Sequence, residues 1–314
     1  MGVNGRNFQR QYKNKLSNYR DWNQKEHAED YLVYPKNIGY NLSIDETALS
    51  NGELYTILTN KAKKGKKRSI VGIFKGTQAG EIIKIIKENF SGSQRRMVKE
   101  VTLDMAGSMN LIVQKCFPKA TRVIDRFHVQ KLACDAVQEL RIKHRWDAID
   151  LDNKQHKQAK KDGKEYKPFT FENGDTMKQL LIRSRHLLFK PMHKWTESQE
   201  KRANILFSNY PDIEQAYDLS HQLYLIYSRD MTAPVAMTHL ARWFNQIEIS
   251  DIPSFQVLRR TVEAHYQNII NFFNSRSTNA AAESFNAKIK EFRRQFRSVS
   301  DVKFFLFRLT KIFA

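Results

Sequence analysis

The chain has 314 residues, 41% of them apolar, enough to bury a sizeable core as two domains or as one large domain with an insertion. Fifty-three Lys and Arg against 33 Asp and Glu leave a net charge of +20 and a pI near 9.8, which points to a polyanionic partner, nucleic acid first. Two cysteines, Cys116 and Cys134, outside any C-x-x-C exclude a disulfide framework and a cysteine zinc site and fit a reducing, intracellular setting. No apolar run reaches membrane-spanning length, and the first 30 residues lack a signal-peptide core.

Residues 1–36 are polar and basic and read as a helical or loosely ordered arm ending near Pro35. From Ile38 the pattern turns to strands. Asn41–Asp45 alternates and ends on an acid, Leu54–Thr59 is β-branched and aromatic, and Ser69–Phe74 is an apolar run. Short links make these three an antiparallel meander. Between the last two lies a Gly-containing basic turn, residues 60–68, whose Lys63, Lys64, Lys66 and Lys67 read either as a solvated hairpin tip or as phosphate contacts. A helix follows over about Gln78–Asn89, then a strand over Val98–Asp104 and a helix over Met105–Cys116. A short strand over Thr121–Asp125 and a long helix from Phe127 to about Asp147 come next. This order predicts an α/β fold with a mixed sheet, its parallel strands joined by helical crossovers.

Residues 148–170 are lysine-rich and almost free of aliphatics, and read as an exposed loop or linker. Residues 176–275 read as helical throughout. They hold a capping box at Thr196–Gln199, a helix beginning at Pro211, and amphipathic segments over Val235–Ile247 and Phe255–Phe273. Residues 279–297 read as a further helix. At about 100° per residue, Phe285, Ile289, Phe292 and Phe296 share one side, and Glu283, Ala287, Lys290, Arg294 and Arg297 the other. The first side is a core stripe. The second carries one carboxylate near the helix start and a row of cations, which suits a metal-bound centre beside a path for a polyanion; a merely solvated face has the same pattern. The run Phe304–Phe307, flanked by Lys303 and Arg308, reads as core or packing surface.

Asp45, Asp104 and Asp125 each end a predicted strand, and chemistry in α/β sheets collects at the carboxyl ends of parallel strands. With Asp45 and Asp104 on neighbouring strands and the Glu283 helix beside them, three oxygen donors would converge, the environment a hard cation such as Mg²⁺ takes. Two such ions clamp the attacking and leaving oxygens of a phosphoryl transfer. An Asp in such a position also serves as a turn former or helix cap, Asp104 especially. Asp45 is followed by Glu46, and alternation alone does not settle which of the two points at the site, although Asp45 is favoured. His128, three residues after Asp125, has no Cys or His at zinc-ligand spacing, so pairing with a carboxylate near the site is its better reading.

Four blocks then carry a resemblance: Ile44-Asp45-Glu46-Thr47, Leu103-Asp104-Met105, Ile124-Asp125-Arg-Phe-His128-Val129 and Asn279-x-x-x-Glu283-x-x-Asn286-x-x-Ile289-Lys290. In order and spacing they resemble the DDE transposases of bacterial insertion sequences, of the ISL-three type and within it the ISAon-like branch, from about residue 32 to the C-terminus. Leu180–Tyr217 also resembles that family's helical region. The resemblance implies an RNase H-like mixed sheet interrupted by an all-α insertion, divided as catalytic residues 37–147, insertion 148–276 and catalytic residues 277–314 behind the 1–36 arm. It implies Asp45, Asp104 and Glu283 as a catalytic triad holding two Mg²⁺ ions, with Mn²⁺ as a substitute, and Asp125 and His128 as the supporting D-x-x-H element. It makes Trp195 and Trp243 candidates to stack on a flipped base, against the ordinary reading of each as a core Trp.

The implied activity is cutting DNA at element ends and joining the freed 3′-hydroxyls to target DNA. Lys290, Arg294 and Arg297 are the expected phosphate contacts, with Lys63, Lys64, Lys66 and Lys67 as weaker ones. The implied setting is cytoplasmic and nucleoid-associated, with a homo-oligomer assembled on DNA. Typical members carry a cysteine zinc motif and a helix-turn-helix ahead of the catalytic domain, and this chain shows neither. End recognition is therefore expected from a separately encoded N-region protein or another subunit, unless the chain is an inactive remnant, against which its complete blocks speak. Two alternatives stand: an RNase H-like nuclease without strand transfer, and a non-catalytic DNA-binding protein. RNA binding is disfavoured because the strands are too apolar to present exposed aromatics.

Overall fold

The computed structural model describes residues 5–50, 53–278, 280–295 and 301–314. In chain order the elements are α1 (Gly5–Gln11), β1 (Tyr31–Val33), β2 (Asn41–Ser50), β3 (Glu53–Asn60), β4 (Ile70–Lys75), α2 (Ala79–Asn89), α3 (Gly92–Met97), β5 (Glu100–Leu103), α4 (Gly107–Cys116) and β6 (Thr121–Ile124). They continue with α5 (Arg126–Lys161), α6 (Met177–Arg183), α7 (Glu197–Asn209), α8 (Pro211–Ser228), α9 (Ala233–Ser250), α10 (Pro253–Ala264), α11 (Tyr266–Ile270), α12 (Phe272–Ser275), α13 (Ala280–Gln295) and α14 (Val302–Phe313). The chain divides into two compact units, residues 1–125 with 275–314, and residues 126–274.

The first unit is built on a six-stranded mixed sheet in the order β1-β4-β3-β2-β5-β6. The short links of the meander allow only antiparallel pairing of β2, β3 and β4, while helical crossovers bring β5 and β6 in parallel to β2. This mixed α/β sheet is consistent with an RNase H-like fold. Strand β1 pairs with the edge of β4 and comes from the stretch read as an arm; three residues carry too little alternation to register as a strand. The rest of that arm is also packed. Tyr19 sits 5.1 Å from Phe304 and Trp22 5.4 Å from Phe307, ring centre to ring centre, and Lys13 pairs with Asp301, the N-cap of α14.

Strand β2 runs past Asp45 to Ser50, because Thr47 and Ala48 still find partners in Tyr55 and Leu54 of β3. Asp45 is thus inside a strand, not at its end. The parallel ladder with β5, however, stops at Ser43–Thr102, so Asp45 lies just beyond it. Helices α13 and α14 cover one face of the sheet. Phe285 and Ile289 bury among Tyr55, Ile57, Ile73 and Leu306, each contributing about 1.5–3 kcal/mol of hydrophobic stabilisation.

The second unit is all-α. Helix α5 packs against α6, α8 and α10. It continues to Lys161, where a loop over 148–170 was expected. Lys, Gln and Ala are good helix formers and need no apolar stripe on a solvated side, and Ala148 is buried within the same helix. The helix stops where Gly163 takes a positive φ of 65°. There the Lys164 N–H reaches the Ala159 carbonyl (2.9 Å) and the Gly163 N–H that of Lys160, a Schellman termination. Thr176 and Thr196 start α6 and α7 with capping boxes completed by Gln179 and Gln199. The stretch Phe255–Phe273 is broken at His265 and Asn271 into α10, α11 and α12. Asp175 is fully buried, held by Arg183, by Arg202 (3.0 Å) and by Asn173 (3.1 Å). No helix among the described residues is long and apolar enough to cross a membrane.

Candidate active site

Paired residues of neighbouring strands project to the same face of a sheet, and alternate residues of one strand share a face. Asp45 pairs with Ile57, and Ile57 with Ile73; both isoleucines pack in the cluster that holds Phe285 and Ile289 of α13. Asp45 is therefore on the face that α13 covers, and Glu46 on the other. Ser43 pairs with Thr102 and Thr102 with Val123. Counting two residues onward from each puts Asp45, Asp104 and Asp125 on one face. The Asp125 N–H still bonds the Leu103 carbonyl (3.0 Å), so the ladder extends to it, and Asp125 is 1% exposed.

Asp45 is held at both oxygens. Oδ1 accepts the Glu46 backbone N–H (2.8 Å) and Oδ2 accepts Asn286 Nδ2 (2.7 Å) from α13. Glu283 is exposed, in the first turn of α13, one turn before Asn286 and on nearly the same side of the helix. Asp104 Oδ1 accepts the Ala106 N–H (2.8 Å), so this residue also shapes the entry to α4. The Glu46 carboxyl is pushed above its usual range by burial first, then by the negative charges of Asp104 and Asp45. Acidic charge is thus concentrated here, and carboxylate oxygens are the donors a hard divalent cation takes. Among the described residues, however, no three of His, Cys, Asp and Glu stand close enough together to hold a metal ion. The donor chemistry fits; a three-carboxylate cluster is not assembled.

Helix α13 is fastened to the sheet along its length. Lys288 Nζ donates to the Gly65 carbonyl (2.9 Å), and Arg293 Nη1 to the Ala48 carbonyl (3.2 Å). Gly65 has a φ of +68°, which suits a residue without a side chain in this turn. Ahead of the helix, Lys61 Nζ donates to Thr102 Oγ1 (2.6 Å) and to Ser277 Oγ, and lies 3.6 Å from Glu100. Burial lowers the Lys61 pKa, while Glu100 and then Asp125 oppose that shift. Sequence reasoning passed over Lys61, since it looks like one more cation of a basic turn.

Of the expected phosphate contacts, Lys290 and Arg294 are exposed on α13 and Lys63, Lys64, Lys66 and Lys67 on the basic turn. Arg294 already makes two bonds to Glu291 (3.0 and 3.1 Å), which keep its pKa raised. Arg297 and Phe296 lie outside the described residues. His128 is in the first turn of α5, in the second unit, edge-on to Phe127 at 5.8 Å. Trp243 is 1% exposed with its Nε1 donating to the Leu219 carbonyl (2.9 Å), a core position that presents no free ring face. Trp195 is half-buried, donates to the Leu187 carbonyl (2.9 Å) and packs on Tyr217. The Trp that the second unit exposes is Trp146, at 59%.

An acidic sheet face crossed by a helix with cations on its outer side is a setting suited to chemistry on nucleic-acid phosphates. A family model described as Transposase, of the DDE class and ISL-three type, matches residues 42–309, and the chain belongs to that transposase family. Comparison with curated proteins and with solved structures gave no match. As a transposase the protein has DNA as its substrate.

Proposed function

We propose that this transposase cuts DNA at the ends of a bacterial insertion sequence and joins the 3′-hydroxyls to target DNA, with the first unit as its RNase H-like catalytic domain. The observation that carries the reading is the Asn286–Asp45 hydrogen bond, which ties the helix bearing Glu283 to the strand bearing Asp45 on the face shared with Asp104. Residues 126–274 are then an all-α insertion between β6 and α13, and the quoted sequence blocks favour the ISAon-like branch.

Asp45, Asp104 and Glu283 would hold the two Mg²⁺ ions, which when bound supply an activated nucleophile and a stabilised leaving oxygen. The chain's own work is positional. Asn286 and the Glu46 N–H fix the orientation of Asp45, and Lys61 anchors the segment leading into α13. Asp125 and His128 support the site, and Lys290, Arg294, Arg297 and the 63–67 lysines bind phosphates. End recognition draws on an N-region protein or on further copies of the chain in a cytoplasmic, nucleoid-associated complex.

Labelled DNA carrying the element's ends, incubated with Mg²⁺ or Mn²⁺ with and without the N-region protein, tests this. Metal-dependent cutting by the wild type that Glu283→Gln abolishes supports the triad, and joining of pre-cleaved ends separates a transposase from a nuclease. A second reading, a non-catalytic DNA-binding protein, is favoured by the unassembled carboxylates. It requires that Asp104→Ala leave every output unchanged.

A further inference from the structure

The outer face of α5, in the helical unit, has a composition that its packing does not explain. From Asn153 to Lys161 the helix carries Lys154, Lys157, Lys160 and Lys161 and no acid. Glu139 and Asp150, both before Asn153, are acids on this side; at about 100° per residue the four lysines fall in one sector of roughly 120°, which also holds Lys143 and Trp146. All six side chains are exposed. The opposite side faces the unit's interior: Arg141 and Ala148 are buried there, and Asp152 bonds Tyr166 and pairs with Lys178. None of the five lysines has an ion-pair partner among the described residues. Helix-dipole compensation accounts for Lys160 and Lys161 in the last turn, not for Lys157 or Lys154, one and two turns earlier.

We propose that this face is a second DNA-contact surface, a phosphate track with an aromatic contact at its near end. Lys154 to Lys161 span about 10 Å of helix, enough to meet two or three successive phosphates of one strand. Trp146, about two turns before Lys154, offers a large apolar ring on which an unpaired base can lie. The proposal rests on the reading that the chain works on DNA, and adds to it a contact site outside the catalytic unit.

The test is titration of the full chain with a labelled 30-base-pair duplex and with a single strand over a range of salt. The variant is Lys154→Gln, Lys157→Gln, Lys160→Gln and Lys161→Gln combined. The control is Lys84→Gln, Lys87→Gln, Lys115→Gln and Lys119→Gln combined, which removes the same charge from the first unit. The α5 variant is expected to lower the slope of log affinity against log salt by about two to three, at about 0.9 per lost phosphate contact, and the control to leave it within half a unit. Trp146→Ala is expected to weaken the single strand about ten-fold and the duplex much less.

An unchanged slope in the α5 variant, or an equal loss in the control, overturns the track. Equal loss on both probes in Trp146→Ala overturns the stacking contact. Wild-type cutting of element ends is read alongside. If the wild type cuts and the α5 slope is unchanged, only this inference falls; if it neither binds nor cuts, the proposed function falls with it.

Discussion

Asn286 donates its side-chain amide to Asp45 across 241 residues of sequence, at 2.7 Å, and so joins α13 to strand β2 inside the sheet. A neutral donor on a carboxylate is a charge-assisted bond, stronger than a bond between neutral groups. Asn286→Ala should lower stability by about 1–2 kcal/mol. Asn286→Asp should cost more, because it sets a second carboxylate against Asp45. Chemical denaturation measures both, and a smaller loss for the Asp variant than for Ala would show that the bond does not form.

Lys61 joins Thr102 and Glu100 of β5 to Ser277, so Lys61→Met should loosen the chain ahead of α13. The expected loss is about 1–3 kcal/mol, since the buried Thr102 and the partly buried Glu100 lose the ammonium they pair with. Hydrogen exchange should quicken around residues 275–285 more than in β3 or β4. In the cleavage assay the turnover should fall while the half-saturating DNA concentration stays put, the pattern of a positioning residue.

Glu46 is disfavoured as an anion by burial and by Asp104 and Asp45, so its folded pKa lies above its unfolded one. Its ionisation therefore destabilises the fold at neutral pH, and that penalty vanishes once the pH falls below the unfolded value near 4. Glu46→Gln should raise the melting temperature of the metal-free protein at pH 7 by a few degrees at most. The gain should shrink to nothing by about pH 4. A gain of equal size at both pH values would sink the charge argument.

Asp175 is the buried anion of the helical unit, with Arg183 and Arg202 on it. Asp175→Asn keeps the shape and removes the charge both guanidiniums answer. Because the arginines retain some access to water, the loss should sit near the lower end for a broken buried pair, about 3 kcal/mol. Exchange protection should drop in α6 and α7 and hold in the sheet strands.

Trp243→Phe should destabilise by about 1–3 kcal/mol, through loss of the indole hydrogen bond to the Leu219 carbonyl and of ring volume in the core. Affinity for single-stranded DNA should not change, since the indole is inside the core. A selective loss of single-strand binding would return Trp243 to the role of a stacking surface.

The amino-acid sequence by itself determined the elements whose signals are local. The alternation of β2, the β-branched and aromatic run of β3, the crossover helices, the Thr196 capping box and the apolar stripe of Phe285 and Ile289 are patterns within one segment, and each is in the structure. The four acidic blocks and the family membership were legible for the same reason: their residues and spacing lie along the chain. Only the tertiary structure decided what depends on register or on distant partners. It put Asp45 rather than Glu46 on the α13 face, because a side chain's face is set by the strand it pairs with. It turned Lys61 from one of a run of lysines into a partly buried anchor. It carried α5 through a stretch that composition alone marks as loop, because helix formers on a solvated side leave no hydrophobic period to read. And it exchanged the roles of the tryptophans, burying Trp243 and exposing Trp146, since exposure is a property of the packed chain and not of the residue.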